Sequence, residues 1–425
     1  MRAKVGIVVP ALAALLLAAA CTEGGSQEGE SGTARRVPPE TLLLGTDRGP
    51  LAVRVPQGSL VFERDGGVAA PDGSLVFSAS SQGGSTELDT LDGTSGEVVS
   101  TTRIRGDLDV RVASGSGGAV ALMDPLPAGW DPRVPLPRSR TAIVVADPSG
   151  VLEPRRYELR GNFEPEAFST DDSRLFLIQH LPAEAPAVYR VTVLDLTRGR
   201  VEPVFGPFKS PPERMPGTRL QQVYAPDGSQ LYTLYTSSRP GYAPHAAPAP
   251  KNGTVSFIHV LDLEEGWAHC VGLPRRFWDQ PASHEAIAAS PDGGRLYIAD
   301  AVRGLVSVME TDTLDITKTA TVPLAVAGAS HTSARVSADG GTLFVGVADG
   351  TTSSISAIDT TTLGVSATWS MSAAVSGLGL SGDGLRLYVA LGDRVAILDA
   401  VTGRELEALP FTSTAPIVDV SALPS

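Results

Sequence analysis

The sequence predicts an all-β fold, a β-propeller built of four-stranded antiparallel blades. Three observations favour it. A tight turn followed by a short apolar strand returns along most of the chain, as in Ser-Pro-Asp-Gly-Gly-Arg-Leu-Tyr-Ile-Ala-Asp at positions 290–300. A second polar turn, with Asp and Gly, joins two further apolar strands in most units. Glycine (45) and proline (33) are spaced like turns, and no helical period is sustained after the N-terminal segment.

The first turn has the residues that its backbone needs. Proline sets φ at the second position, aspartate bonds back to the backbone, and glycine adopts a conformation that other residues avoid. The interval from Asp292 to Asp339 is 47 residues and that from Asp339 to Asp383 is 44. The aspartates of this turn are Asp72, Asp171, Asp227, Asp292, Asp339 and Asp383.

The second turn completes each unit as four strands. It follows the apolar runs that end at Asp195, Asp262, Asp359 and Asp399, and a glycine stands four or five positions later. A unit of strand, turn, strand, loop, strand, turn and strand, about 45 residues long, is typical of a propeller blade.

The number of blades depends on the weakest units. Residues 110–122 form a degenerate copy, with its third strand at 141–145. Strands are expected at 41–46, 50–55 and 59–62, and residues 416–421 provide a final strand with no successor. Pairing of this last strand with the first three would close the ring and remove two exposed sheet edges. The count is eight blades, or seven if residues 41–64 are irregular.

The N-terminus predicts export and lipid attachment. Residues 1–20 combine Arg2 and Lys4 with an apolar run shorter than the roughly 20 residues that span a bilayer, as in a signal peptide. The small residues before Cys21 resemble a bacterial lipobox, in which the cysteine receives diacylglycerol and palmitate. An ordinary secretory signal with an incidental cysteine is the alternative. Residues 21–40 form a polar tether and residues 41–425 the propeller, so we expect a lipid-anchored protein on the outer side of the cell membrane.

The units resemble the YVTN-type β-propeller repeat family. Leu-Tyr-Ile-Ala-Asp at 296–300 and Leu-Tyr-Val-Ala at 387–390 match its second strand, and the aspartate-glycine turns match its hairpin. The resemblance covers nearly all of residues 41–425 and implies the propeller fold. Its members include surface-layer, redox-associated and unassigned envelope proteins, so the resemblance implies little about function.

No catalytic, metal or cofactor site is predicted. The repeated aspartates are explained by the turns, and the sequence has no calcium loop, H-x₃-H pair, nucleophile elbow, P-loop or C-x-x-C-H haem attachment. Cys270 lies among apolar residues and is predicted to be core. Neighbouring His269 cannot act as its base on a strand, because adjacent side chains point to opposite faces. The net charge of −13 argues against nucleic-acid binding.

Four proline-rich insertions predict where function lies. They span residues 123–140, 203–217, 236–253 and 267–284, and in an antiparallel meander all four belong to the same end of the ring. Aromatic and arginine side chains favour interfaces, and loops on a rigid scaffold are common binding sites. Merely tolerated surface insertions are the alternative. The candidate binding residues are Trp130, Arg133, Arg138, Tyr242, His245, Arg275, Arg276 and Trp278.

The sequence therefore predicts a membrane-anchored extracytoplasmic binding or scaffolding module, with a protein or glycan partner on the insertion-bearing end. The alternative is an envelope enzyme, a propeller-type lyase or dehydrogenase, with its site at the mouth of the axial channel. A cluster of polar residues with shifted pKa values at that mouth would favour the enzyme.

Overall fold

The structure is a ring of eight four-stranded antiparallel blades, so the expected propeller and the count of eight are confirmed. It is a computed structural model, and it describes residues 37–131, 134–210, 214–237, 255–278, 284–324, 326, 328–350, 353–413 and 415–423. Within these ranges, no helix is long and apolar enough to cross a membrane. The predicted signal segment and Cys21 lie outside the described residues.

The first four blades contain the irregular units of the sequence. Blade 1 has β1 Glu40–Thr46, β2 Pro50–Val55 and β3 Ser59–Glu63; blade 2 has β4 Val68–Ala69, β5 Leu75–Gln82, β6 Ser85–Asp92 and β7 Val98–Arg105; blade 3 has β8 Asp109–Ala113, β9 Val120–Met123, β10 Arg140–Ala146 and β11 Arg155–Arg160; blade 4 has β12 Asn162–Phe168, β13 Arg174–Leu181, β14 Val188–Asp195 and β15 Arg200–Pro203.

The remaining blades follow the repeat closely. Blade 5 has β16 Thr218–Tyr224, β17 Gln230–Ser237, β18 Val255–Asp262 and β19 Ala268–Gly272; blade 6 has β20 Glu285–Ala289, β21 Arg295–Asp300, β22 Leu305–Glu310 and β23 Ile316–Thr321; blade 7 has β24 His331–Val336, β25 Thr342–Ala348, β26 Ser353–Asp359 and β27 Val365–Met371; blade 8 has β28 Gly377–Leu380, β29 Arg386–Ala390, β30 Val395–Asp399 and β31 Glu405–Ala408.

The last strand, β32 Ile417–Ala422, closes the ring as predicted. It pairs antiparallel with β1, so blade 1 has the order β3-β2-β1-β32. A side-chain link also joins blade 1 to blade 8. The Glu40 carboxylate of blade 1 accepts hydrogen bonds from the Gly382 amide, at 2.7 Å, and from the Tyr388 hydroxyl of blade 8. The ring is therefore closed by both main-chain and side-chain contacts.

The aspartate-glycine turns form as the sequence predicts. Asp227 Oδ1 accepts the Ser229 amide at 3.0 Å and the Ser229 hydroxyl at 2.7 Å, and Gly228 has a φ of 72°. In the equivalent turn of blade 4, hydrogen bonds from the hydroxyls of Ser169 and Ser173 lower the pKa of Asp171 to about 2. These carboxylates hold their own backbone, which accounts for their repetition.

Apolar side chains fill the spaces between neighbouring blades. The Leu-Tyr pair of the repeat occupies equivalent places in three blades, where Tyr232, Tyr297 and Tyr388 are each at most 1% exposed. The innermost strand is β32 in blade 1 and the first strand in the other blades, and most of these inner strands contact the inner strand of a neighbouring blade. At this crowded axis blade 8 uses Gly377 and Gly379, in agreement with the small residues expected there.

The connections leave the ring at two ends. Those between the first and second and between the third and fourth strands lie at one end, which we call the turn face. Those between the second and third strands and between consecutive blades lie at the other, the loop face. The described parts of the four insertions lie in connections of the loop face by strand order, whereas residues 132–133, 211–213, 238–253 and 279–283 lie outside the described residues. One boundary differs from the prediction: residues 268–272 of the range 267–284 form strand β19, and a short 3₁₀ helix follows at Arg275–Phe277.

Candidate functional site at the loop face

The inner strands of blades 3, 4 and 5 each contain a β-bulge. Their ladders shift register across Arg111 in β8, Glu166 in β12 and Leu220 in β16. A bulge inserts one unpaired residue and re-aims its side chain, and bulges are common beside functional sites. These three adjacent blades also carry or flank the insertions of the loop face.

A buried carboxylate links two of the bulged strands. The Glu166 side chain is 2% exposed, and its Oε2 lies 3.0 Å from Nη1 of Arg219, a side chain that is 51% exposed. Glu166 Oε1 accepts a hydrogen bond from Gln222 Nε2 at 2.8 Å. Burial raises the pKa of Glu166, and the Arg219 charge opposes that rise. The Glu166–Arg219 pair therefore exposes a guanidinium that is held in place by a buried carboxylate and can bind an anionic group.

The insertion at residues 123–140 is fastened to the inner strand of blade 4. Asn162 Nδ2 donates to the carbonyl oxygens of Leu136, at 2.8 Å, and Ala183, at 3.1 Å. Arg138 forms an ion pair with Glu164 of the same strand, and both side chains are largely covered. Arg138, expected to contact a partner, thus holds this loop in place and offers only part of its surface.

The insertion after β19 is also held by its own side chains. Trp278 is only 6% exposed, and its indole N–H donates to Leu273 O at 3.0 Å. The Arg275 guanidinium lies 5.6 Å from the centre of the Trp278 ring. The Trp278 carbonyl accepts a hydrogen bond from Arg303, which also lies 3.4 Å from Asp300. Trp278 therefore packs inside the protein, where the sequence had suggested an accessible aromatic anchor.

The structure describes five of the eight predicted binding residues. Arg275 and Arg276 are exposed, and Trp130 is half-buried with its indole N–H donating to Val134 O at 2.7 Å. Arg138 and Trp278 are the covered residues discussed above. The other three, Arg133, Tyr242 and His245, lie outside the described residues.

Sequence reasoning missed the buried acid at the start of blade 6. Glu285 is 5% exposed, its Oε1 accepts a hydrogen bond from Ser256 Oγ at 2.9 Å, and its Oε2 has no partner among the described residues. Burial raises the pKa of Glu285 well above its usual value, and nearby Asp300 raises it further. A protonated carboxyl here can donate a hydrogen bond. The signal was available, since the first residues of four consecutive inner strands are polar: Asn162, Thr218, Glu285 and His331.

The histidines do not assemble with acids into a metal site. In the part of the chain that the structure describes, no group of three or more His, Cys, Asp and Glu side chains could hold a metal ion. His259 and His269 are not directly opposed, because His259 pairs with Cys270 and His269 with Val260. Cys270 is 1% exposed, as expected for a core residue.

The burial of His259 predicts a loss of stability in mild acid. Burial lowers the pKa of His259 from 6.5 to about 4, so the folded protein keeps the ring neutral while the unfolded chain protonates it. Its contribution is therefore complete above pH 6.5 and declines as the pH falls towards 4. The full difference is at most about 3 kcal/mol, at 1.36 kcal/mol per pKa unit.

We expect His259→Leu to lose less stability than the wild type between pH 7 and pH 4.5. Urea unfolding at both pH values measures this, and the comparison of slopes removes any pH-independent effect of the substitution. Equal slopes in the two proteins would show that His259 does not titrate in this way.

Comparisons with known proteins show the fold only. No protein-family profile and no curated protein matches the sequence. Apo AztD from Citrobacter koseri is similar in structure, with a TM-score of 0.54, 10% identity and coverage of 91% of this chain and 98% of AztD. The dihydro-heme d1 dehydrogenase NirN, in complex with DHE, has a TM-score of 0.51, 16% identity and coverage of 90% of this chain and 74% of NirN. At these identities the chain shares with both proteins the β-propeller fold.

Proposed function

We propose that this protein is a lipid-anchored extracytoplasmic member of the YVTN-type propeller repeat proteins, acting as a binding module whose partner docks on the loop face. The observation that carries the proposal is the fastening of the insertions. The hydrogen bonds from Asn162 to one insertion, and from Arg303 to the Trp278 carbonyl of another, hold two of them against the ring. A surface fixed before binding loses little conformational entropy when a partner docks.

The partner that this face suits best is a protein with acidic groups. Arg275 and Arg276 are exposed at the end of one insertion, and Arg219 is half exposed above its buried acid. Guanidinium groups recognise carboxylates by paired hydrogen bonds. The chain as a whole has a net charge of −13, so exposed arginines on one face would orient an acidic partner as it approaches.

Substitution of the exposed arginines tests the docking face. We expect Arg275→Ala with Arg276→Ala to weaken binding by about 2 kcal/mol, or roughly 30-fold in Kd, because arginines are frequent interface hot spots. The partner is first recovered by cross-linking the lipidated protein in membranes, and its affinity for each variant is then measured. The control is Arg198→Ala with Arg404→Ala, which changes two arginines of the turn face. Weaker binding of the control pair alone would place the partner on the turn face, and recovery of a glycan would correct its class.

The lipid anchor has its own test. We expect Cys21→Ala to lose metabolic labelling with palmitate and to remain unprocessed, because the cysteine thiol is the proposed attachment point. Wild-type protein expressed in the same cells is the positive control, and Cys270→Ala should label normally. Labelling of Cys21→Ala at the wild-type level would rule out this anchor.

A second candidate, an envelope enzyme, is favoured by Glu285. A buried carboxyl with a raised pKa, whose Oε2 has no partner among the described residues, has the properties of a general acid. Envelope extracts incubated with wild-type protein or with Glu285→Gln distinguish the two functions by mass spectrometry. An enzyme would change a metabolite only with the wild type, whereas a binding module would change none with either protein.

A further inference from the structure

Four donor-bearing side chains line a small cavity between blades 4 and 5. Its volume is about 20 Å³, and it is bordered by Met215, His259, His269 and Cys270 together with two valines and an alanine. This space suffices for one atom-sized occupant. The cavity lies on the outer strand β19, apart from the polar cluster of the loop face, and its interpretation does not depend on the proposed partner.

Three of these side chains converge within the interior. His259 and Cys270 are directly opposed on β18 and β19, so their side chains lie on the same face of the blade. Met215 is fixed by two backbone hydrogen bonds with Tyr189, each 2.8 Å, and its Sδ lies 2.8 Å from Cys270 Sγ. Met215, His259 and Cys270 are each at most 2% exposed.

The His259 imidazole is a candidate ligand for a metal ion in this cavity. The ring borders the cavity and the residue is only 2% exposed, so a ring nitrogen can reach an ion held by the two sulfur atoms. The ring's closest aromatic contact is edge-on with Tyr235, at 6.2 Å between ring centres.

We propose that Cys270, Met215 and His259 bind one soft monovalent metal ion, Cu(I), in this cavity. Thiolate and thioether ligands favour soft metals such as Cu(I) and also bind Zn²⁺, and imidazole binds both. None of the described residues that border the cavity carries a carboxylate, and their sulfur and nitrogen donors suit Ca²⁺, Mg²⁺ and Mn²⁺ poorly.

Charge balance separates Cu(I) from Zn²⁺. Binding of Cu⁺ releases the Cys270 thiol proton to solvent and forms a Cu–S bond, so the new ion and the thiolate together are neutral. No electron is transferred in this step. The neighbouring residues form an apolar cluster that includes Val191, Val204 and Phe257. A divalent ion with one thiolate would leave an uncompensated positive charge there, which is strongly unfavourable.

The surroundings permit the ion to enter. Met215 is unbranched and has three rotatable bonds, so its sulfur can move away from Cys270 to admit the ion. Cys270 lies on the outermost strand of blade 5, and its neighbours Ala268 and His269 are half-buried. The two sulfur atoms therefore lie next to partly exposed residues at the rim of the ring.

Competition with a coloured Cu(I) chelator tests the site. Purified lipidated protein is titrated anaerobically into the Cu(I) complex of bathocuproine disulfonate, and loss of its absorbance measures transfer to the protein. We expect one equivalent bound by the wild type, with affinity reduced at least about 100-fold in Cys270→Ser and at least about 10-fold in Met215→Leu. Met371→Leu, in the outer strand of blade 7, is the matched control and should bind like the wild type.

Two further results decide the assignment. X-ray absorption of the Cu(I)-loaded wild type should show two sulfur ligands and one nitrogen, a readout that does not depend on the folding of any variant. Absence of transfer to the wild type, equal binding by Cys270→Ser, or loss of binding in Cys21→Ser would each overturn the proposal. Retention of Zn²⁺ in preference to Cu(I) would overturn the choice of metal.

Discussion

Deletion of residues 417–425 should lower the free energy of unfolding by roughly 5 kcal/mol or more and cause self-association. The deletion removes β32, whose Ile417 and Val420 are fully buried, and Leu423, which is 3% exposed. Burial of such side chains is worth about 1.5–3 kcal/mol each, and the ladder with β1 is lost as well. The inner edge of β1 then becomes available to strands of other molecules.

The hydrogen bonds of the Glu40 side chain should keep the ring folded after the deletion of residues 417–425. Its bonds to Gly382 and Tyr388 do not involve β32, so blades 1 and 8 of the shortened chain stay joined at one point. We therefore expect a folded ring with a lower melting temperature and a higher oligomer content on size-exclusion chromatography. Deletion of residues 424–425 alone is the control. A monomer that melts at the wild-type temperature after loss of 417–425 would contradict closure by β32.

The ring was predictable because the same turns and short strands recur in each blade. The turn aspartates bind the amides that follow them, and the alternating turns determine the strand order without long-range information. Even blade 1, assembled from both ends of the chain, followed from a final strand without a successor. Short-range chemistry that recurs at a constant spacing is what a single sequence reveals.

The site was less predictable because it depends on contacts between blades. Glu166 meets Arg219 only because bulges in two inner strands re-aim the chain, and a bulge of one residue is hidden within variable spacing. Trp278 lies in an irregular loop, where no hydrophobic period indicates which side chains turn inward. The insertion at 267–284 was drawn too wide for a similar reason: the Ala-His-Cys-Val-Gly sequence of β19 has only a weak strand pattern.

Gly379→Ala should destabilise the protein by about 2–3 kcal/mol through overpacking at the seam between blades 8 and 1. A Cβ at this position would lie 2.4 Å from the carbonyl oxygen of Val420 in β32, a backbone atom that cannot rotate away. Thermal or urea unfolding measures the loss. Gly115→Ala is the matched control, because no atom lies within 4 Å of its added Cβ and its φ is not positive. That control should be neutral, or more stable by about 0.4–1 kcal/mol through reduced entropy of the unfolded chain.

Combining Gly379→Ala with the deletion of residues 417–425 shows whether both changes act at the seam between blades 8 and 1. In the chain lacking 417–425, the carbonyl that Gly379→Ala would strike is gone, so the substitution should cost much less than it does in the full-length protein. The two losses are then non-additive, as expected for groups in direct contact. Equal costs of Gly379→Ala in the full-length and shortened chains would mean that the added Cβ collides with something other than β32. The seam between blades 8 and 1 would then be closed in a different way.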